Sequence, residues 1–114
     1  MLEKAGKTDT IQAVSDEINS LTYALDLAKA AATMAEEKKP YGIYHITNSG
    51  QASWYDFAKE IFRIMGKKIN LLPVPAAEFP RKAKRPKKAV LLNTKLPALR
   101  SWQEALKEFL IPNF

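Results

Sequence analysis

The stretch VSDEINSLTYALDLA, residues 14–28, decides how this chain is read. It leaves an apolar extended segment, crosses a polar loop and enters a helical pattern. Val14 closes a short strand over residues 11–14, which a polar helical remnant at residues 2–7 precedes. Asp16, Glu17, Asn19 and Ser20 then break any regular period. From Ala24 onward Ala24, Leu27, Ala28, Ala31, Met34 and Ala35 recur as one apolar stripe on a helix over residues 23–37. Its small alanines suit close packing against a sheet. Ser20 or Thr22 is placed to cap this helix, and Pro40 stands just past its end.

The alternation of strand and helix continues outward. Residues 41–48, with Ile43 and Ile46 as β-branched centres, read as a strand that Asn48-Ser49-Gly50 ends. SWYD at residues 53–56 opens a second helix as a capping box, with Asp56 where Glu is usual. Trp54, Phe57, Ala58, Ile61, Ile64 and Met65 make its buried face, and Gly66 suits the position just after it. Residues 69–74 form a third strand closed by Pro73 and Pro75, and residues 76–79 a single helical turn before Pro80. Residues 89–92 form a short extended stretch. SWQE at residues 101–104 is a second capping box, opening a helix to about residue 110 with Trp102, Ala105, Leu106 and Phe109 on its stripe. The flanks of the two boxes do not match, so they are independent caps and no repeat. The fold class is mixed α/β: about three helices and a small, few-stranded sheet. Such alternation calls for crossover connections and parallel strands covered on both faces. So small a sheet needs a partner sheet or a second copy.

At 114 residues, 46% hydrophobic and 26% charged, the chain is at most one ordinary globular domain. No apolar run approaches the ~20 residues that cross a bilayer, and the N-terminal ten residues hold no signal-type apolar core. The sequence has no cysteine, so disulfide and thiolate chemistry are excluded and a cytoplasmic setting is the default. The net charge of +6 is local: RKAKRPKK, the loop at residues 81–88, holds six basic residues and no acid, while the rest of the chain balances.

Few residues carry reactive chemistry. A dinucleotide site needs glycines framing a strand–turn–helix, and the four glycines here are far apart. The isolated chain should therefore not bind NAD(P)H through a glycine-rich turn of that kind. Tyr55 and Lys59 have the Tyr-x-x-x-Lys spacing of a reductase proton relay, but a half-buried Tyr and a solvated Lys are the expected reading. His45, the only histidine, lacks the convergent ligands of a zinc site and reads as packed or half-exposed. Asp16 is placed to orient the loop, Asp26 favours its helix N-terminus, and Trp54 and Trp102 belong to the core. The basic loop has three readings: a solvated surface, an anion contact through Arg85, or a nucleic-acid footprint. No aromatic interleaves it for base stacking, which makes nucleic acid the weakest of the three.

Together, VSDEINSLTYALDLA, YHITNSGQASWYDFAKEIF (residues 44–62) and AKRPKKAVLLNTKL (residues 83–96) resemble the C-terminal part of the dTDP-4-dehydrorhamnose reductases, extended short-chain dehydrogenase/reductases. The likeness runs from about residue 2 to residue 110. It implies that residues 1–114 are a single partial domain, the C-terminal substrate-binding subdomain, with the Rossmann half absent. It implies NADPH for the full-length family and no cofactor held in this chain. Tyr55 and Lys59 align C-terminal to the family's catalytic helix. The loop at residues 16–22 aligns with a family stretch reading Asp-Gln-x-Gly-x-Pro-Thr, where this chain has Glu17, Asn19 and Leu21 instead of Gln, Gly and Pro. The family's Arg-Pro matches Arg85-Pro86. The resemblance thus implies Arg85, Asn19, Ser20 and Thr22 as substrate-binding residues and a dTDP-linked sugar nucleotide as ligand. It also implies no catalytic residue in this chain, and either self-association or association with the missing half.

Overall fold

A computed structural model describes residues 2–113, without the side chains of residues 2 and 4. The order of elements is α1 (Leu2–Ala5), β1 (Thr10–Val14), β2 (Ile18–Asn19), α2 (Ala24–Glu36), β3 (Ala52–Ser53), α3 (Trp54–Met65), β4 (Asn70–Val74), a 3-10 turn (Ala76–Glu78), β5 (Lys88–Ala89) and α4 (Trp102–Asn113). The mixed α/β reading holds, but the strands split into two small sheets. β1 and β4 pair in parallel, Thr10 opposite Asn70 through Val14 opposite Val74. β2 lies between β3, antiparallel, and β5, parallel.

The core forms where α3 covers the β1–β4 pair. Ile11 and Ala13 point inward from β1 while Thr10 and Gln12 are exposed, as the two-residue pleat demands. They meet Ala58, Ile61 and Phe62 of α3, and Trp102, Leu106 and Leu110 of α4 close the cluster. Ala58 is fully buried, its lack of bulk letting helix and sheet approach. Pro73, which has no N–H for a ladder, is tolerated because β4 has only one neighbouring strand. Only one face of this pair is covered, against the expectation of two.

Both capping boxes form. Ser53 Oγ accepts from Asp56 N at 3.1 Å while Ser53 N donates to Asp56 Oδ2 at 2.9 Å. Ser101 and Glu104 repeat the exchange at 3.2 and 3.1 Å. Gly66 closes α3 at φ 65°, in the left-handed region as expected.

Four expectations give way. Residues 41–48 form no strand: Tyr41 and Ile43 stand in solvent, and no sheet edge among the described residues is there to pair with them. β-branching rewards a pleated, half-buried surface, which is missing here. Neither Ser20 nor Thr22 caps α2. Its N-cap is Tyr23, whose N–H donates to Asn48 Oδ1 at 2.7 Å, so the cap comes from a distant loop. Nor does the alanine-rich stripe face a sheet. Ala24, Leu27, Ala28, Ala31 and Ala35 are exposed, and Asp26, Ala30 and Met34 turn toward the body instead. At about 100° per residue these two sets lie on largely different sides of α2. Finally Trp54 is 39% exposed, packing edge-on against Phe57, whereas Trp102 is buried.

The uncovered stripe shows in the dimensions. The chain exposes 8111 Å², whereas a compact monomer of its mass exposes about 6300 Å². Its radius of gyration is 16.3 Å, against about 13 Å for a compact domain of this length. The molecule is a slab of 50 × 35 × 20 Å.

Past the C-terminus of α2, Lys38 takes the left-handed region at φ 48°, where Cβ crowds the backbone. Lys38→Gly relieves that strain and is expected to stabilise the fold by ~0.5–1 kcal/mol, read as a raised thermal midpoint.

Candidate functional site

Residues 15–18, between β1 and β2, hold together three parts of the chain. Ser15 N donates to Val74 O at 3.0 Å, which ties the loop to the end of β4. Asp16 Oδ1 accepts from Ala76 N at 2.8 Å and so fixes the start of the 3-10 turn, an orienting role as expected. Ile18 N donates to Lys87 O at 2.8 Å, fastening the far end of the basic loop. The basic loop is therefore folded back over residues 16 and 17, enclosing a cleft of about 460 Å³ lined by Asp16, Glu17, Phe79, Arg81, Lys84 and Arg85 among others.

Glu17 is 6% exposed. Its charge is met by Arg81, whose Nη2 and Nη1 lie 3.3 and 3.5 Å from the same oxygen, Oε2. In the sequence Arg81 reads as part of a solvated basic loop; the structure pairs it with a buried acid instead. The available signal was an unmatched acid in a short loop and a basic run elsewhere in a chain otherwise balanced in charge.

The four residues implied as substrate-binding do not share one hollow. Arg85 is exposed and lines the cleft. Asn19 is half-buried in the middle strand of the second sheet, opposite Ala52 and Ala89. Ser20 Oγ accepts from Leu91 N at 2.9 Å, which fixes the chain beyond β5. Thr22 borders a separate apolar groove of about 340 Å³ with Tyr23, Trp54, Phe57 and Trp102. Tyr55 is half-buried against the core and Lys59 exposed, as expected, and neither lines the cleft. His45 is exposed on the 41–48 segment rather than packed or half-exposed, because the strand expected around it does not form.

A polar cluster the sequence did not reveal fastens α2 to the body. Asp26 is nine-tenths buried and accepts from Arg100 through both carboxylate oxygens, Nη2 to Oδ1 at 2.8 Å and Nε to Oδ2 at 2.9 Å. Asn48, 1% exposed, donates to Asp26 Oδ2 at 2.7 Å and to Arg100 O at 3.3 Å. Arg100 also donates to Glu108 on α4. The guanidinium first, then Asn48, holds the Asp26 carboxyl below its ordinary range against the opposing effect of burial. The two carboxylates raise the Arg100 pKa in turn, Asp26 more than Glu108.

The helix N-termini decide what the chain does not hold. A dinucleotide pyrophosphate rests on free amides at a helix start. Here the starts of α3 and α4 are filled by their own Asp56 and Glu104, and that of α2 carries Asp26. An acid in the first turn repels phosphate, so these residues do not fit NADP. Among the described residues there is also no cluster of acids and histidines able to hold a metal ion. No helix among them is long and apolar enough to cross a membrane.

A basic cleft at a strand end, in a chain whose long helices start on their own acids, has the character of a substrate-binding domain. The chain belongs to the RmlD substrate binding domain family, whose model matches residues 1–113. It is 39% identical to the spore coat polysaccharide biosynthesis protein SpsK of Bacillus subtilis, covering 96% of this chain and 40% of that protein. It is 36% identical to the dTDP-4-dehydrorhamnose reductase of Aggregatibacter actinomycetemcomitans, covering 94% of this chain and 42% of that one. Among solved structures, the dTDP-4-dehydrorhamnose reductase of Clostridium acetobutylicum superposes with a TM-score of 0.89 at 39% identity, over 96% of this chain and 40% of that one. The Bacillus anthracis enzyme in complex with NADP gives 0.91 at 33% identity, over 98% and 41%. The chain thus spans about 40% of the length of the relatives it matches.

Two tests follow from the polar cluster. Asn48→Ala strips partners from Asp26 and from the Tyr23 N–H, and should cost ~2 kcal/mol, roughly 10 °C in thermal midpoint. Because the Asp26 pKa is depressed on folding, its contribution is present above the unfolded carboxyl's pKa and is lost as pH falls through the folded value. Asp26→Asn should therefore be less stable than the parent at pH 7, and the gap should close below about pH 4, as followed by circular-dichroism melts.

Proposed function

We propose that this chain forms the sugar-nucleotide-binding wall of an NADPH-dependent reductase acting on dTDP-4-dehydro-L-rhamnose, with the cofactor and the proton relay supplied by a dinucleotide-binding half outside these residues. One observation carries this reading: the family match spans residues 1–113, and solved dTDP-4-dehydrorhamnose reductases superpose on nearly the whole chain while extending well beyond it. The cleft suits it chemically. Arg85, Lys84 and Lys87 line it, and a guanidinium is well matched to a diphosphate. Among the described residues the acids that line it are Asp16 and Glu17, engaged with Ala76 N and Arg81. The cysteine-free sequence accords with a cytoplasmic setting.

The exposed stripe of α2 is where the dinucleotide-binding half would pack. A second reading, a non-catalytic fragment that associates with its own copies through that stripe, draws on the excess of exposed surface over a compact monomer. Leu27→Glu places a charge on the stripe without touching the core and tests the second reading. Light scattering that shifts from dimer to monomer in this variant supports self-association; a monomeric parent removes it.

The main test is complementation. The 114-residue chain alone should give no NADPH turnover with the 4-keto sugar nucleotide. Mixed with the dinucleotide-binding half of a relative such as the Clostridium acetobutylicum enzyme, it should restore turnover. Titration calorimetry should show dTDP bound by the chain, and Arg85→Ala should weaken that binding about ten-fold. Turnover by the chain alone, or no dTDP binding, defeats the proposal.

A further inference from the structure

Two Arg–carboxylate pairs that join residues more than sixty positions apart are built differently. Arg100 meets Asp26 fork to fork, one nitrogen to each oxygen, at 2.8 and 2.9 Å. Arg81 meets Glu17 through a single oxygen at 3.3 and 3.5 Å, beyond the usual length of a charge-assisted hydrogen bond. The first pair is a clamp; the second is a loose hold on a guanidinium at the wall of a basic cleft.

The two members of the loose pair also differ in freedom. Glu17 is buried at the base, in a loop pinned at Val74, Ala76 and Lys87. The Arg81 side chain is 29% exposed, on a basic loop whose far end alone is fastened by Ile18 N. An anion entering the cleft meets Lys84, Arg85 and Lys87, and then an arginine whose acid partner satisfies it poorly. A diphosphate oxygen offers that guanidinium the short parallel bonds that Glu17 does not.

We infer that Arg81 is a further anion-binding residue of this cleft, parked on Glu17 when the cleft is empty and transferred to the diphosphate of a nucleoside diphosphate when it is filled. Glu17 is the positioning residue: it keeps the guanidinium at the cleft and lowers affinity by competing for it. The inference rests on the sugar-nucleotide reading above. Glu17 stands where the family resemblance has Gln, so a neutral side chain at this position is the natural comparison.

The wild-type chain, labelled at arginine nitrogens, tests this without any substitution. Titration with dTDP, and separately with inorganic pyrophosphate, should move the Arg81 Nε–H resonance in NMR spectra and leave that of Arg100 in place. Glu17→Gln should tighten dTDP binding about ten-fold and Arg81→Ala should weaken it to a similar degree. dTDP binding that depends on Arg85 but leaves the Arg81 resonance unmoved overturns this inference and spares the functional reading. So does a Glu17→Gln variant that folds and binds dTDP no tighter than the parent. No dTDP binding by any form removes both.

Discussion

The paired hydrogen bonds between Asp26 and Arg100 hold together what is otherwise two bodies. The core is made by β1, β4, α3 and α4, and α2 contributes no side chain to its hydrophobic cluster. What keeps α2 in place is mainly polar: a carboxylate from its first turn, a guanidinium from just before α4, and Asn48 between them, with the Tyr23 ring edge-on to Phe109 of α4 beside them. Such a cluster is stable only when every member is satisfied, because an unpaired buried charge costs several kcal/mol. Asn48 meets that demand with both ends of its amide. It donates to Asp26 and accepts from the Tyr23 N–H, doing in one residue the work of a salt-bridge brace and a helix cap.

The same economy governs where the chain leaves room for an anion. Acids are stabilising at helix starts, and each of the three long helices uses one there, Asp26 in α2, Asp56 in α3 and Glu104 in α4. Each use closes a place where a pyrophosphate could rest. Positive charge is concentrated instead on one loop, folded over the strand end at residues 15–18. The chain is equipped to meet an anion with side chains, not with backbone amides.

Local signals were legible in the sequence, and long-range ones were not. The Ser53–Asp56 and Ser101–Glu104 boxes, the Gly66 terminus and the β1 and β4 strands all follow from residues a few positions apart. The family resemblance, carried by three short stretches, located the chain within a larger architecture. What failed depended on distant partners. Residues 41–48 have strand chemistry but no edge to join. The α2 stripe has the correct period, yet its apolar side faces out, since the helix is oriented by Asp26 and by a guanidinium 74 residues away. Of the implied substrate residues, Arg85 lines the cleft, while Asn19, Ser20 and Thr22 lie elsewhere. Arg81 reads as part of a solvated loop because its meaning depends on Glu17, 64 residues earlier.

The β1–β4 pairing carries a kinetic consequence. Thr10 to Val14 must find Asn70 to Val74 across some sixty residues, and the side chains that reward the encounter come from α3 and from α4 at the far end of the chain. Closing so long a loop costs entropy before any of that burial is gained. The capped helices can form in microseconds, whereas the strands wait for the last helix to arrive, and acquisition of the native state should be slow for a chain of this size. During synthesis, β1 would therefore stay unpaired until β4 and the α4 residues that complete the core had emerged.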